Sequence, residues 1–186
     1  LPTISKDGLT YTFKIKKGVL FQDNKAFKDG KGREVTAEDF VYSFKRIADP
    51  KVLSDGWWIF DGKIEGFNQW RVKATEAGNT DYAASVSGLQ ALDRYTLQIK
   101  LTKPSPLLLH VLTMPYANVV AREVVEYYGK EFMQHPVGTG PFRLESLSPN
   151  QAIWIRNPTF HGQSYPSEGS PGDKAEGLLA DAGKPL

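Results

Sequence analysis

The sequence predicts an α+β fold, in which helices and antiparallel strands follow one another in local groups. Apolar and polar residues alternate over residues 10–16 and again over 95–101, which is the period of a half-buried strand. Residues 36–48 instead carry apolar side chains at helical spacing. Short turns join neighbouring strands, and strands and helices do not alternate regularly enough for a doubly wound sheet.

The first elements are two short strands. The alternating pattern predicts the first over residues 10–16, and Lys17-Gly18 would then turn the chain. The apolar run at residues 19–21 predicts a second strand. Residues 23–32 are polar and contain glycine, which is typical of a surface loop.

The clearest helix begins after Thr36. The Thr36 side chain can cap the free amide groups of the first turn, and Asp39 three residues later gives a capping-box pattern. Asp49-Pro50 would end the helix, because the residue before a proline disfavours the helical conformation. The apolar stripe of this helix consists of Phe40, Val41, Phe44 and Ile47.

Further segments are predicted along the rest of the chain. They are helices over residues 63–79, 104–112 and 122–133, hairpins over 86–101 and 142–156, and a loop over 161–186. The loop is rich in Gly, Pro, Ser and Asp, and we expect it to lead onward in a longer chain.

Composition and charge exclude several classes of function. The 186 residues carry a net charge of +2 with basic and acidic residues interspersed, so no basic face for nucleic acid is expected. There is no cysteine, which excludes disulfides and thiolate metal sites. No window approaches the roughly 20 apolar residues that a membrane-spanning helix needs.

A search for catalytic and metal-binding motifs indicates neither an enzyme nor a cofactor. His110, His135 and His161 are too far apart in sequence for a local metal motif, and no nucleophile elbow is present. The run Gly138-Thr-Gly140 resembles a phosphate loop, but Pro141 lacks an N–H group and a strand is predicted to follow. We therefore interpret this run as a tight structural connection.

Trp57 and Trp58 are the candidate ligand-binding residues. Adjacent side chains cannot share one face of a strand or a helix, so we expect one ring to pack inward and the other to face a cleft. The competing interpretation is that both belong to the core, which is the commoner place for a large aromatic residue.

Three stretches resemble the family-5 bacterial extracellular solute-binding proteins, which include oligopeptide-, dipeptide- and nickel-binding receptors. The first contains Asp7-Gly-Leu-Thr-Tyr-Thr-Phe-Lys-Ile and Val35-Thr-Ala-Glu-Asp-Phe. The second is His135-Pro-Val-Gly-Thr-Gly-Pro-Phe, and the third is Ile155-Arg-Asn-Pro-Thr-Phe. Their order and spacing agree with the family over most of residues 7–160.

The resemblance implies a fragment of a two-lobed, periplasmic-binding-protein-like fold of class II, the oligopeptide-binding type. Residues 1–119 would form the small extra domain of the first lobe, 120–160 part of its main sheet, and 161–186 a tail. Family members are considerably longer, so we expect the second lobe and much of the ligand cleft to lie outside this chain. The segment around Trp57 and Trp58 can approach ligand in peptide-binding members.

The resemblance further implies the substrate-binding component of an ABC importer, which binds oligopeptides and delivers them to a membrane permease. Such a protein would be periplasmic, or extracytoplasmic and associated with the membrane. Another solute, such as an oligosaccharide or a metal complex, remains an alternative, and a sugar would favour stacking on Trp57, Trp58 or Trp70. From other classes, a hydrolase or transferase needs a nucleophile and base that no motif supplies, and a purely structural domain would lack an aromatic-lined pocket. We also expect exposed apolar surface that promotes dimerisation.

Overall fold

The computed structural model describes residues 1–162 and 164–185 and confirms the α+β class. Its helices are α1 (Ala37–Ala48), α2 (Phe67–Ala77), α3 (Leu108–Leu112) and α4 (Arg122–Tyr128). Its strands are β1 (Thr3–Ile4), β2 (Thr10–Lys14), β3 (Leu89–Asp93), β4 (Thr96–Lys100), β5 (Phe142–Ser148) and β6 (Gln151–Arg156).

The first four strands form one antiparallel sheet in the order β1-β2-β4-β3. Strand β2 pairs with β4, so that Tyr11 lies opposite Ile99 and Phe13 opposite Leu97. Helices α1 and α2 lie between these two strands in the sequence, and α1 contacts both β3 and β4. The pairing of β2 with β4 therefore brings together two segments that are far apart in the sequence. Helix α1, from the intervening segment, packs on the resulting sheet.

Helix α1 lies over the sheet, and its apolar face forms part of the main core. The Asp39 carboxylate accepts hydrogen bonds from the Thr36 amide (2.8 Å) and hydroxyl (3.1 Å), and the predicted capping box is present. The predicted stripe is buried at Val41, Phe44 and Ile47 and half-buried at Phe40. These side chains join a large apolar cluster with Phe60 and Phe67.

Several predicted elements are shorter in the structure. Helix α2 covers Phe67–Ala77 instead of residues 63–79, and β2 ends at Lys14 instead of residue 16. Residues 19–21 form only an isolated bridge from Leu20 to Glu34, in which the Phe21 amide donates to Arg33 (2.9 Å), while the Gln22 amide donates to Gly138 (2.8 Å). The helix predicted over 104–112 begins at Leu108, since two prolines precede it. The helix predicted over 122–133 ends at Tyr128 and continues as a 3₁₀ helix over Gly129–Gln134.

A second apolar cluster lies beside the first. It contains Phe21, Phe27, Val35, Ala121, Val124 and Val137, and so joins residues 21–35 to residues 121–137. The domain division predicted at residue 119 stays a prediction, and this cluster draws side chains from both sides of that position. Residues 161–162 and 164–185 form turns and one isolated bridge between Ser164 and Pro185.

Strands β5 and β6 form a separate two-stranded hairpin, as predicted. Asn157, which is buried, anchors its base: the side-chain amide donates to the Gly140 carbonyl (2.8 Å), and its backbone amide donates to Pro141 (2.7 Å). The Asn157 side-chain oxygen accepts from the Thr159 hydroxyl (2.9 Å). These bonds join the second and third motifs of the resemblance into one unit.

Candidate functional site

The two predicted tryptophans lie in a short 3₁₀ helix, Trp57–Ile59, and differ in their exposure. Trp57 is half-buried against the main cluster, with its ring edge-on to Phe67 at 5.4 Å and 81°. The Arg71 guanidinium covers the Trp57 ring at 5.0 Å. Trp58 points outward and is 51% exposed. Of the two rings, Trp58 is the one that a ligand can reach.

Trp58 forms what we call the aromatic corner with Tyr116. The two ring centroids are 6.3 Å apart and their planes meet at 78°. Tyr116 lies in another 3₁₀ helix, Pro115–Ala117, and is 41% exposed. Gly56 permits this approach, because a Cβ atom at that position would lie 2.7 Å from the Tyr116 ring.

Lys63 gives the aromatic corner a fixed positive charge. Its ammonium group donates to the carbonyls of Trp58 (2.9 Å) and Ile59 (3.0 Å). The same ammonium lies 5.4 Å from the centre of the Trp58 ring, within the range of a cation–π contact. The corner therefore combines two exposed rings with a cation that is held by the backbone.

Sequence reasoning missed Tyr116 and Lys63. Tyr116 comes from a distant stretch of the chain, and nothing in its local pattern indicates that it meets Trp58. The available signal was weak: an aromatic residue directly after a proline in an irregular segment. Trp70, considered for sugar stacking, is buried, and its indole N–H donates to the Asp81 carbonyl (3.2 Å), so it is not available to a ligand.

A second concave feature of the described residues is an apolar groove of about 1090 Å³. Residues of β2, α1 and 136–140 contribute to its lining, which includes Phe40, Phe44 and Lys14. Its lining comes from both apolar clusters, which agrees with the expectation of exposed apolar surface.

The residues that suggested metal or phosphate chemistry lie apart. Over residues 1–162 and 164–185, no group of three or more His, Asp or Glu side chains could hold a metal ion. His135 stacks on Tyr128, with ring centroids 3.9 Å apart. In the Gly138-Thr-Gly140 run, the carbonyls of Gly138 and Gly140 accept hydrogen bonds from Gln22 and Asn157. Its role is thus to connect segments, as the sequence indicated.

The α+β topology and the three motifs define the class of protein. The family model for the bacterial extracellular solute-binding proteins, family 5 (Middle), matches residues 2–170, and the chain belongs to this family. The family and its structural neighbours are binding proteins rather than enzymes. Among the described residues, no helix has the length and apolar character needed to cross a membrane.

Individual relatives have different ligands in their names. The glutathione-binding protein GsiB of Escherichia coli O1:K1 is 27% identical over 164 residues, which are 88% of this chain and 26% of GsiB. An oligopeptide-binding protein of Borrelia burgdorferi, OppAIV, superposes with a TM-score of 0.69 at 27% identity, over 87% of this chain and 30% of that one. MoaA of A. tumefaciens R10, in complex with mannopinic acid, gives 0.61 at 28% identity, over 87% and 27%.

The chain thus spans about a quarter to a third of the length of the relatives that it matches. The shared region is the part that carries the four-stranded sheet, the helices and the β5–β6 hairpin.

Proposed function

We propose that this chain is part of the substrate-binding component of an ABC importer, which binds oligopeptides between two lobes and delivers them to a membrane permease. The observation that carries the proposal is the family match over residues 2–170, which keeps the fold of oligopeptide-binding proteins. Peptide receptors that bind the main chain tolerate varied side chains, and closure of two lobes signals the loaded state.

In this proposal the chain supplies only part of the receptor. Residues 1–119 form the small extra domain of the first lobe, 120–160 contribute to its main sheet, and 161–186 lead onward. The protein works outside the cytoplasm and catalyses no reaction. It meets the membrane through its permease or through a lipid anchor.

Within this chain, Trp58 is the proposed ligand contact. It is exposed, it lies in the segment that can approach ligand in peptide-binding members, and its orientation is fixed by Tyr116 and Lys63. Trp57 was predicted together with it. Its contacts with Phe67 and Arg71 favour a supporting role, in which it holds the 3₁₀ helix that presents Trp58.

The test is native mass spectrometry of the full-length protein, purified without unfolding. We expect a series of bound masses that match heterogeneous short peptides. A single discrete adduct that is not a peptide would contradict peptide binding and favour a dedicated receptor. Titration of an unloaded sample with trialanine, followed by calorimetry, provides the complementary measurement.

A second candidate is a receptor for a small solute other than a peptide. The observation in its favour is that MoaA, which is 28% identical, was solved with mannopinic acid bound. An oligosaccharide or a metal complex belongs to the same alternative. The mass of the co-purified adduct separates these cases.

A further inference from the structure

We infer that the aromatic corner of Trp58 and Tyr116 is a subsite for one uncharged apolar or aromatic side chain of the bound peptide. This inference rests on the proposed function and adds to it the ligand chemistry that the corner selects. It also assigns Tyr116 and Lys63 to the determination of specificity.

The geometry of the two rings carries the first step. Each ring is about half exposed, and the two rings meet edge to face with their planes at 78°. An apolar ligand side chain that contacts both rings removes its own apolar surface and that of the rings from water. Aromatic residues gain from such offset and perpendicular contacts in addition to the burial of area.

Neighbouring residues hold the two rings of the aromatic corner in their positions. Trp57, the neighbouring residue in the same 3₁₀ helix, packs against Phe67, and Gly56 gives the Tyr116 ring its place.

The charge of Lys63 decides which side chains the corner accepts. The ammonium group already occupies one face of Trp58 and is held by two carbonyl groups. A ligand lysine or arginine would meet this fixed positive charge, while an uncharged side chain would not. The subsite therefore selects leucine- or phenylalanine-like side chains over cationic ones.

The experiment measures binding of tripeptides to the full-length protein by calorimetry. Each peptide has two alanines and one variable residue, which is Ala, Leu, Phe or Lys, placed in turn at each position. At one position we expect Phe and Leu to bind about tenfold more tightly than Ala, and Lys more weakly than Ala. Trp58→Ala and Tyr116→Ala should each reduce the preference for Phe to less than about threefold.

Further variants separate the subsite from a general loss of binding. Because the two rings form one subsite, the double variant should lose little more than either single variant. Lys63→Met should improve binding of the Lys peptide about fivefold relative to that of the Phe peptide. Gly56→Ala should weaken the preference for Phe by displacing Tyr116, whereas Gly138→Ala, where the added Cβ meets open space, should not.

Tyr127→Ala is the matched control, since Tyr127 is also about half exposed but lies on α4. If the unchanged protein binds the tripeptides without preference, or if Trp58→Ala and Tyr116→Ala keep the preference for Phe, the subsite is wrong and the proposed function stands. If the unchanged protein binds none of the peptides, the proposed function fails and the inference fails with it.

Discussion

The four-stranded sheet with α1 and the β5–β6 hairpin are built from similar alternating sequences but have different surroundings. On the sheet, the alternating residues Leu97 and Ile99 of β4 are buried beneath α1. On the hairpin, Phe142, Leu147 and Trp154 are more than half exposed. Two strands alone bury little apolar surface, so the hairpin depends on its anchored base for its place in the fold.

A bulge makes this difference more pronounced. Leu144 lies opposite Trp154, and Leu147 lies opposite Ala152, with the register shifting between Leu144 and Ser146. In a regular strand Leu144 and Leu147 would face opposite sides, but the extra residue returns Leu147 to the face of Leu144 and Trp154. The hairpin therefore presents one apolar face that its own two strands do not cover, whereas the apolar face of the sheet is covered by α1.

The largest expected effect is the loss of a core side chain beneath α1. Phe60 is fully buried, with its ring centroid 4.7 Å from that of Phe44 and 5.9 Å from that of Phe67. Phe60→Ala should lower the free energy of unfolding by about 3–5 kcal/mol, since it leaves a cavity. Urea denaturation of the 186-residue chain measures this. Trp154→Ala is the matched control and should change the same quantity by less than about 1 kcal/mol, so equal effects would remove the distinction between the regions.

The next effect concerns an ion-pair network that joins the start of α1 to α4. The Arg33 guanidinium donates to both carboxylate oxygens of the buried Asp39 (2.9 and 2.6 Å) and also to Glu123. Arg33→Met leaves a buried carboxylate without its cation, and we expect a loss of about 2–3 kcal/mol in urea denaturation. Arg122→Met, which removes an exposed pair with Glu126 and a contact over the Tyr42 ring (5.8 Å), should cost less than about 1 kcal/mol. A similar cost for both variants would contradict the network.

Asn157 is expected to matter chiefly for the hairpin. Asn157→Ala removes the hydrogen bond to Gly140 and leaves buried groups unpaired, which should cost about 1–2 kcal/mol. Hydrogen exchange should become faster in β5 and β6 and stay unchanged in β2 and β4. Asn150→Ala, at the exposed turn of the same hairpin, is the control, and protection lost equally in both sheets would contradict a local anchor.

Acid should weaken the Arg33 network. Hydrogen bonds from Arg33 hold the pKa of the Glu123 carboxyl below its ordinary value of 4.5. A carboxyl whose pKa is lower in the folded state stabilises the fold above 4.5, and this contribution is lost as the pH falls through the lowered pKa. The difference in unfolding free energy between the unchanged chain and Arg33→Met should therefore shrink from about pH 7 to about pH 3. A constant difference would exclude a contribution from Glu123.

Local sequence patterns predicted most helices and strands, but they could not predict contacts between residues that are distant in the sequence. The capping box of Thr36 and Asp39 and the bounds of the second hairpin follow from neighbouring residues, and the structure contains them. By its local pattern alone, Lys45 would be an exposed charge that the helix dipole favours in the last turn of α1. It is instead buried: its ammonium donates to the carbonyls of Tyr82 and Ala84 (2.9 Å each), and desolvation lowers its pKa.

The candidate site shows the same limit. Adjacent tryptophans predicted one inward and one outward ring, because this follows from chain geometry alone. The meeting of Trp58 with Tyr116 depends on how the segment after α3 returns to the segment after α1. No periodicity encodes that return, so the partner of Trp58 could be found only in three dimensions.

The smallest effect on stability, with a clear effect on the surface, is expected on the apolar face of the hairpin. Leu147→Lys combined with Trp154→Ser should change the unfolding free energy by less than about 1 kcal/mol, because both side chains are already exposed. The same variant of the 186-residue chain should bind less of an apolar fluorescent dye and scatter light as a smaller species, since exposed apolar faces promote association. Val72→Ser, an exposed apolar residue on α2, should alter neither signal. Undiminished dye binding in the hairpin variant would instead indicate that the dye binds at the apolar groove beside α1. The main exposed apolar surface would then belong to the region of the sheet and α1, and not to the hairpin.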